Sequence, residues 1–201
     1  MPIGDHLISN RSISIFKYTH HGIDLGRGRV LHYSGLANGP TAGKIEITTL
    51  RKFSKGKSFT RVSPKDRAYT SRDAVLRAIS RLGEDEYCVL TNNCEHLAEW
   101  SINGRHRSRQ VDRGLTEGVA RARQVSAALL PAGPLGRALA ISIVVAATVA
   151  CGATTKRQRN KAISLSKPRN LSSVKRHTRV LTRTLPKQIV GAIRHRGKIV
   201  R

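Results

Sequence analysis

Three residues in this chain have the types needed for thiol chemistry: Cys94, His20 and His32. Cys94 follows a short apolar run, Tyr87-Cys88-Val89-Leu90, and two asparagines. After it, an apolar spacing appears at Cys94, Leu97, Ala98, Ser101 and Ile102. The pattern predicts a strand, an asparagine cap and a one-faced helix with the cysteine in its first turn. Free backbone N–H groups and the positive end of the helix dipole lie there. A thiol so placed is expected to lean toward thiolate, and the Asn93 end of the helix to receive the negative oxygen formed on attack. Cys94 taken alone fits a small core residue equally well.

The histidines lie upstream, on a predicted hairpin. An apolar run beginning at residue 14 continues to Leu25, Gly26-Arg27-Gly28 signals a turn, and residues 29–33 run back. With those three residues as the loop, facing positions have numbers summing to 54. His20 and His32 then become diagonal neighbours on one face, roughly 7–8 Å apart. His21 points to the other face and reads as a surface residue. A cysteine with two such imidazoles suits a nucleophile, a base and an orienting group. The imidazole takes the thiol proton, a thioester forms, and a second acceptor resolves it. Either histidine alone fits a partly buried structural role, and the spacing by itself establishes nothing.

The elements that must position these groups read as α+β. Residues 6–8 form a short apolar piece, 44–50 alternate as a strand with one wet face, and 53–62 add a turn and another strand. Thr70-Ser71-Arg72-Asp73 resembles a capping box, opening a helix whose apolar spacing runs to Leu82 before Gly83 and an acidic loop.

The segments 18–32 (YTHHGIDLGRGRVLH) and 93–97 (NCEHL), supported by 4–7 (GDHL) and 108–111 (SRQV), resemble the lecithin:retinol acyltransferase-like family, which includes phospholipase A and acyltransferase enzymes. The resemblance covers residues 4–113. It implies a circularly permuted papain-like domain with an antiparallel sheet and helices, in which the histidines precede the cysteine. It also implies acyl transfer from glycerophospholipids through a cysteine thioester. By position it makes Cys94 the nucleophile, His20 the general base and His32 the third member. Asp24 stands where the family often has Tyr, and Leu97 where Phe is common. Asp24 shares a face with His20 on a regular strand and is a candidate for the substrate side. His96 belongs to the signature yet sits two residues from Cys94 on a helix, and reads as structural. No metal or cofactor is expected, since the thiol mechanism uses all three residues and no fourth ligand is apparent.

Charge divides the chain. Its formal net charge is +25, with 19 basic and 11 acidic residues over 1–113 but 18 basic and one acidic over 114–201. Such a balance points to anionic partners, and phospholipid head groups are favoured over nucleic acid because aromatics are 4% and no reader motif occurs. Three cysteines make no disulfide framework, and the N-terminus has no apolar secretory core, so a cytoplasmic, non-secreted protein is expected. Three segments follow: a catalytic domain over 1–113, a membrane-associated segment over 114–155 and a basic tail over 156–201. Residues 116–130 suit an amphipathic helix, 131–136 a breaker, and 138–153 an uncharged apolar helix. Sixteen residues give about 24 Å, short of a ~30 Å hydrocarbon core. The 15 Lys/Arg of the tail keep it on the cytoplasmic side, with the catalytic domain, so a re-entrant hairpin is expected. Leu171, Val174, Leu181, Leu185, Ile189 and Ile193 near helical spacing suit a helix on anionic lipid or, equally, a disordered tail. The rival functions are a cysteine amidase or peptidase of the same broader fold and an inactive membrane-binding adaptor.

Overall fold

Alternating apolar side chains set the first half of the chain. The computed structural model describes residues 3–13, 16–34, 43–64, 66–166, 186–187 and 190–191. Among these, strands β1 (His6–Ile13), β2 (Phe16–Gly26), β3 (Arg29–Tyr33), β4 (Ile45–Thr49) and β5 (Phe59–Val62) form one antiparallel sheet, in the order β4-β3-β2-β1-β5. The hairpin reading holds, with Gly22 opposite His32, Ile23 opposite Leu31 and Asp24 opposite Val30. Gly26 and Gly28 take the turn with φ of 79° and 67°, values that favour glycine.

The sheet has two dissimilar faces. Ile23, Leu25, Leu31, Tyr33 and Ile45 pack on helices α2 (Ser71–Ile79) and α3 (Cys94–Asn103), against Ala74, Val75, Ile79, Leu97 and Ile102. Fully burying each such aliphatic side chain is worth about 1.5–3 kcal/mol, so this layer dominates stability. The opposite face holds a smaller cluster of Leu7, Val30 and Phe53, the last carried by helix α1 (Leu50–Ser54). The sequence pattern suggests only a turn there. Thr49 instead caps a single helical turn by accepting the Lys52 N–H at 3.2 Å. Thr70 caps α2 in the same way, accepting from Asp73 N at 3.1 Å, but the helix stops at Ile79 rather than running to Leu82.

The strand expected before Cys94 is not formed. Residues 87–90 make a turn with one isolated bridge, Cys88 to Asn92, and Val89 and Leu90 are 47% exposed. The turn closes on itself, with Cys88 N donating to Asn92 O at 3.1 Å and Asn92 N to Cys88 O at 2.8 Å, and asparagine side chains brace it: Asn92 Nδ2 donates to Glu86 O and Asn93 Nδ2 to Val89 O, each at 2.7 Å. Arg81, 1% exposed, holds this loop. Its Nε donates to Glu84 Oε2 at 3.0 Å and its Nη2 to Asn92 Oδ1 at 2.9 Å, and the guanidinium stands over Trp100.

Beyond the sheet domain, helix α4 (Arg109–Leu129) leads through a 3₁₀ turn at Leu130–Ala132 into α5 (Gly133–Ser166). The boundaries expected at 113 and 155 therefore fall inside helices. The breaker is confined to 130–132; Pro134 lies in the first turn of α5, where its missing N–H costs no helical bond. The apolar stretch is longer than expected: 25 residues, Gly133–Arg157, are long and apolar enough to cross a membrane. Helices α4 and α5 pack as a hairpin, with Ser126 Oγ donating to Ala140 O at 2.9 Å. The far part of α5 returns to the sheet domain, where Lys161 pairs with Glu84 and Glu86. The apolar repeat at 171–193 lies outside the described residues.

Burial alone would raise the Glu84 carboxyl, but Arg81, Asn92 and Lys161 together hold it down, at about 2. Its folded value lies below its unfolded one, so its contribution is present above about pH 4.5 and is lost as the pH falls toward 2. Replacing Arg81 with Ala strands this buried carboxylate and is expected to cost about 3–5 kcal/mol in denaturant unfolding. The variant should also lose that acid-range dependence.

Candidate functional site

His20 and His32 stand together on the Phe53 face of the sheet. His20 Nε2 lies 2.9 Å from His32 Nδ1, and both rings contact Phe53 at 5.1 and 5.7 Å between centroids. Gly22 makes room for that contact. A Cβ there would lie 2.9 Å from Phe53 Cε2 and 2.6 Å from Val30 Cγ1, so no larger residue fits without displacing the ring. His32 is opposite Glu46 on β4, and Glu46 Oε1 is 3.7 Å from His32 Nε2. The carboxylate can only accept, which favours a proton on His32 Nε2. In that tautomer His32 Nδ1 accepts from His20 Nε2–H, and His20 Nδ1 carries the lone pair. That nitrogen is buried and has no partner among the described residues.

Cys94 approaches from the other face, as part of α3. Asp24 N donates to Asp5 O across β1, so alternation aims the His21 N–H toward β3. The β2–β3 register ends at Gly22 and His32, while β3 stays paired with β4 through Tyr33. The His21 N–H therefore faces a split in the sheet, and the Cys94 sulfur lies against it. This amide follows directly from His20, so the sulfur sits beside the backbone that carries the base. No hydrogen bond joins sulfur and imidazole at rest among the described residues.

The thiol is not activated in this arrangement, contrary to the helix-dipole expectation. Burial pushes Cys94 up to about 11, against the opposing pull of the N–H groups of His21, Glu95 and its own residue. Burial likewise lowers His20 well below its usual range, with His32 and Arg11 adding to the effect, and takes His32 to about 4. Thiol and imidazole are both neutral at neutral pH.

Asn93 is the cap of α3, accepting from Glu95 N at 2.9 Å and His96 N at 3.1 Å. Its amide also donates to Val89 O at 2.7 Å and to Ser108 Oγ at 3.4 Å, so both side-chain N–H donors are engaged in holding the helix start. His96 closes the capping box, its Nδ1 accepting from Asn93 N at 3.3 Å, and contacts His106 at 4.7 Å. Asp24 does share the His20 face, but it is bound to Arg61 and accepts from Gly26 N at 2.6 Å. Those bonds make it a brace for the β2–β3 turn.

His21 is no surface residue; it is 4% exposed, because the N-terminus of α4 covers that face. Gln110 on α4 clamps the edge of β2, accepting Thr19 N at 2.8 Å and donating to Thr19 O at 3.1 Å. Its Nε2 also lies 3.1 Å from His21 Nε2. As Gln110 Oε1 is the acceptor of Thr19 N, its Nε2 must donate, so His21 Nε2 is bare and its Nδ1–H points to His6 Nε2 at 2.7 Å. Glu95, buried on α3, accepts from Ser108 Oγ at 2.6 Å and Gln110 N at 3.0 Å. The Glu95–Gln110–Thr19 link fixes the cysteine helix relative to the histidine strand. Sequence reasoning notes Gln110 and Glu95 only within motifs, without a role, and misses Glu46 and Arg81 as site supports; nothing in the spacing of those two marks them.

A family model described as lecithin retinol acyltransferase matches residues 1–107. No curated protein matches the chain.

With Cys88 replaced by Ser, iodoacetamide alkylation of Cys94 should keep accelerating up to about pH 11. A plateau below pH 8 would mean a preformed thiolate. In the unmodified chain the exposed Cys88 should react first. There burial is outweighed by the Thr91 side chain and the Leu90 and Thr91 N–H groups, which bring its thiol down.

Proposed function

Because the chain belongs to the lecithin retinol acyltransferase family, we propose that it is a thiol acyltransferase or phospholipase A-type enzyme that takes an acyl group from a glycerophospholipid onto Cys94. The observation that carries this reading is the buried, unpartnered Nδ1 of His20, whose Nε2 lies against His32 and whose following amide, that of His21, acts on the Cys94 thiol. In the proposed cycle His20 Nδ1 takes the thiol proton as the sulfur attacks the ester carbonyl. His32 Nδ1 holds the Nε2–H side of the imidazolium, and Glu46 supports His32. Of the first-turn N–H groups, those of Glu95 and His96 are committed to Asn93, so the Cys94 N–H is the donor nearest the developing oxyanion. The intermediate collapses to a thioester, and the lysophospholipid alkoxide leaves with the proton from His20. Water, an alcohol or an amine then attacks the thioester, with the same imidazole as base.

The same reading puts the protein at a membrane. Leu135, Ile141, Val145 and Val149 on α5 are 54–84% exposed, an apolar surface suited to lipid. Spanning by α5 alone would separate Lys161 from Glu84 and Glu86, with which it pairs. Crossing by α4 as well would bury Arg113, Glu117, Arg121 and Arg123, at about 2.5–3.5 kcal/mol for each Arg at the bilayer centre. The hairpin is therefore proposed to enter and leave on one side, with the sheet domain and the basic residues 156–201 facing an anionic, cytoplasmic surface. In sealed vesicles, protease should digest both a C-terminal tag and the sheet domain; a protected tag beside a digested domain would contradict this arrangement.

Incubation with labelled phosphatidylcholine should yield a hydroxylamine-sensitive acyl adduct on Cys94, absent in Cys94→Ala and His20→Ala. Amide cleavage without an adduct would favour a peptidase, and no activity an adaptor. Gln110→Ala unclamps the His20 strand from the cysteine helix and should lower kcat about a hundred-fold, as an ångström-scale misplacement does.

A further inference from the structure

Arg11 is an anomaly that the acyl-transfer steps leave unexplained. It is 7% exposed, and its Nη2 donates to the Phe53 carbonyl, yet its Nε and Nη1 have no partner among the described residues. An unpaired buried guanidinium is costly, and among the described residues no carboxylate forms an ion pair with it. Arg11 also lines a cleft of about 740 Å³ together with Lys17, Tyr18, Lys57 and Arg113, and among the described residues Glu117 is the one acidic group on its wall. Thr19, the residue before His20, and Gln110, which clamps it, also line the wall, so the cleft reaches the strand that carries His20. Arg11 and Tyr18 both lie within electrostatic reach of the Cys94 sulfur.

Resting on the acyl-transfer reading, we propose that this cleft is the head-group subsite, in which the Arg11 guanidinium binds the lipid phosphodiester and Lys17, Lys57 and Arg113 draw it in. Guanidinium suits this task because its donors remain charged and directional at low hydration. The chemistry of the substrate fits as well, since only a few bonds separate the phosphate of a glycerophospholipid from its ester carbonyls. A phosphate held at Arg11 therefore keeps an ester near the sulfur. The three cations at the rim are exposed, so their contribution is long-range and falls with salt.

The test uses the full chain as Cys94→Ala, so that binding is read without turnover. Titration with monomeric dihexanoylphosphatidylcholine and with dihexanoylglycerol, which has no phosphate, should show at least ten-fold tighter binding of the phosphate-bearing probe. Arg11→Gln should bring that ratio to about one. Should Arg11→Gln fail to fold, the Lys57→Gln/Arg113→Gln pair, on exposed side chains, should still reduce the ratio several-fold. Equal binding of the two probes, or a ratio unchanged in these variants, would overturn the assignment. So would Arg11-dependent binding of inorganic phosphate that the lipid probe does not displace, which would mark a site for free phosphate. Failure of the acyl-transfer reading would look different: no fatty acid released by the unmodified chain, with the binding ratio intact.

Discussion

The amide joining His20 to His21 meets two constraints at once. As part of β2 it must place the His20 ring on the Phe53 face, next to His32. As a donor facing the split between β2 and β3 it must also receive the sulfur arriving with α3 from the opposite face. The loss of pairing beyond Gly22 and His32 leaves an opening in the sheet beside Cys94, and in the proposed reaction this is where base and nucleophile meet. Gln110 keeps that opening in shape by giving Thr19 the two hydrogen bonds of a side-chain amide and tying it to Glu95 on the cysteine helix.

Burial sets the chemical character of the site. It holds Cys94 as a thiol and His20 and His32 as neutral imidazoles, so no ion pair waits in the resting protein. In the proposed acyl transfer, proton transfer would then be coupled to attack, with the developing charge met by dipoles already in place. The polar cluster of Arg81, Glu84 and Asn92 has a different task. It holds an irregular loop rigid directly before the nucleophile, where a strand would otherwise be needed.

The hairpin register, the pairing of His20 with His32, the helix at Cys94 and the Thr70 cap are legible in the sequence because each follows from local periodicity or turn chemistry. What is not legible depends on distant packing. His21 looks exposed until α4, some ninety residues later, covers it. The 87–90 run has the composition of a strand but no neighbour to pair with. The thiol's resting state depends on the depth of its burial, which a helix-start motif does not report. Asp24 and Asn93 are placed correctly by pattern, yet their bonding partners give them structural work. Helix α5 begins ahead of the apolar run because Pro134 is compatible with a helical first turn, and it continues past that run as far as Ser166.

Nitrogen-15 spectra of the histidine rings test the central claim, that the His20 base and the Cys94 sulfur share one opening. His20 should show a protonated Nε2 and a bare Nδ1 across neutral pH, and alkylating Cys94 should shift the Nδ1 resonance of His20 while the His21 ring, locked by Gln110 and His6, stays where it is. A His20 ring indifferent to alkylation, with the His21 ring responding in its place, would contradict the account.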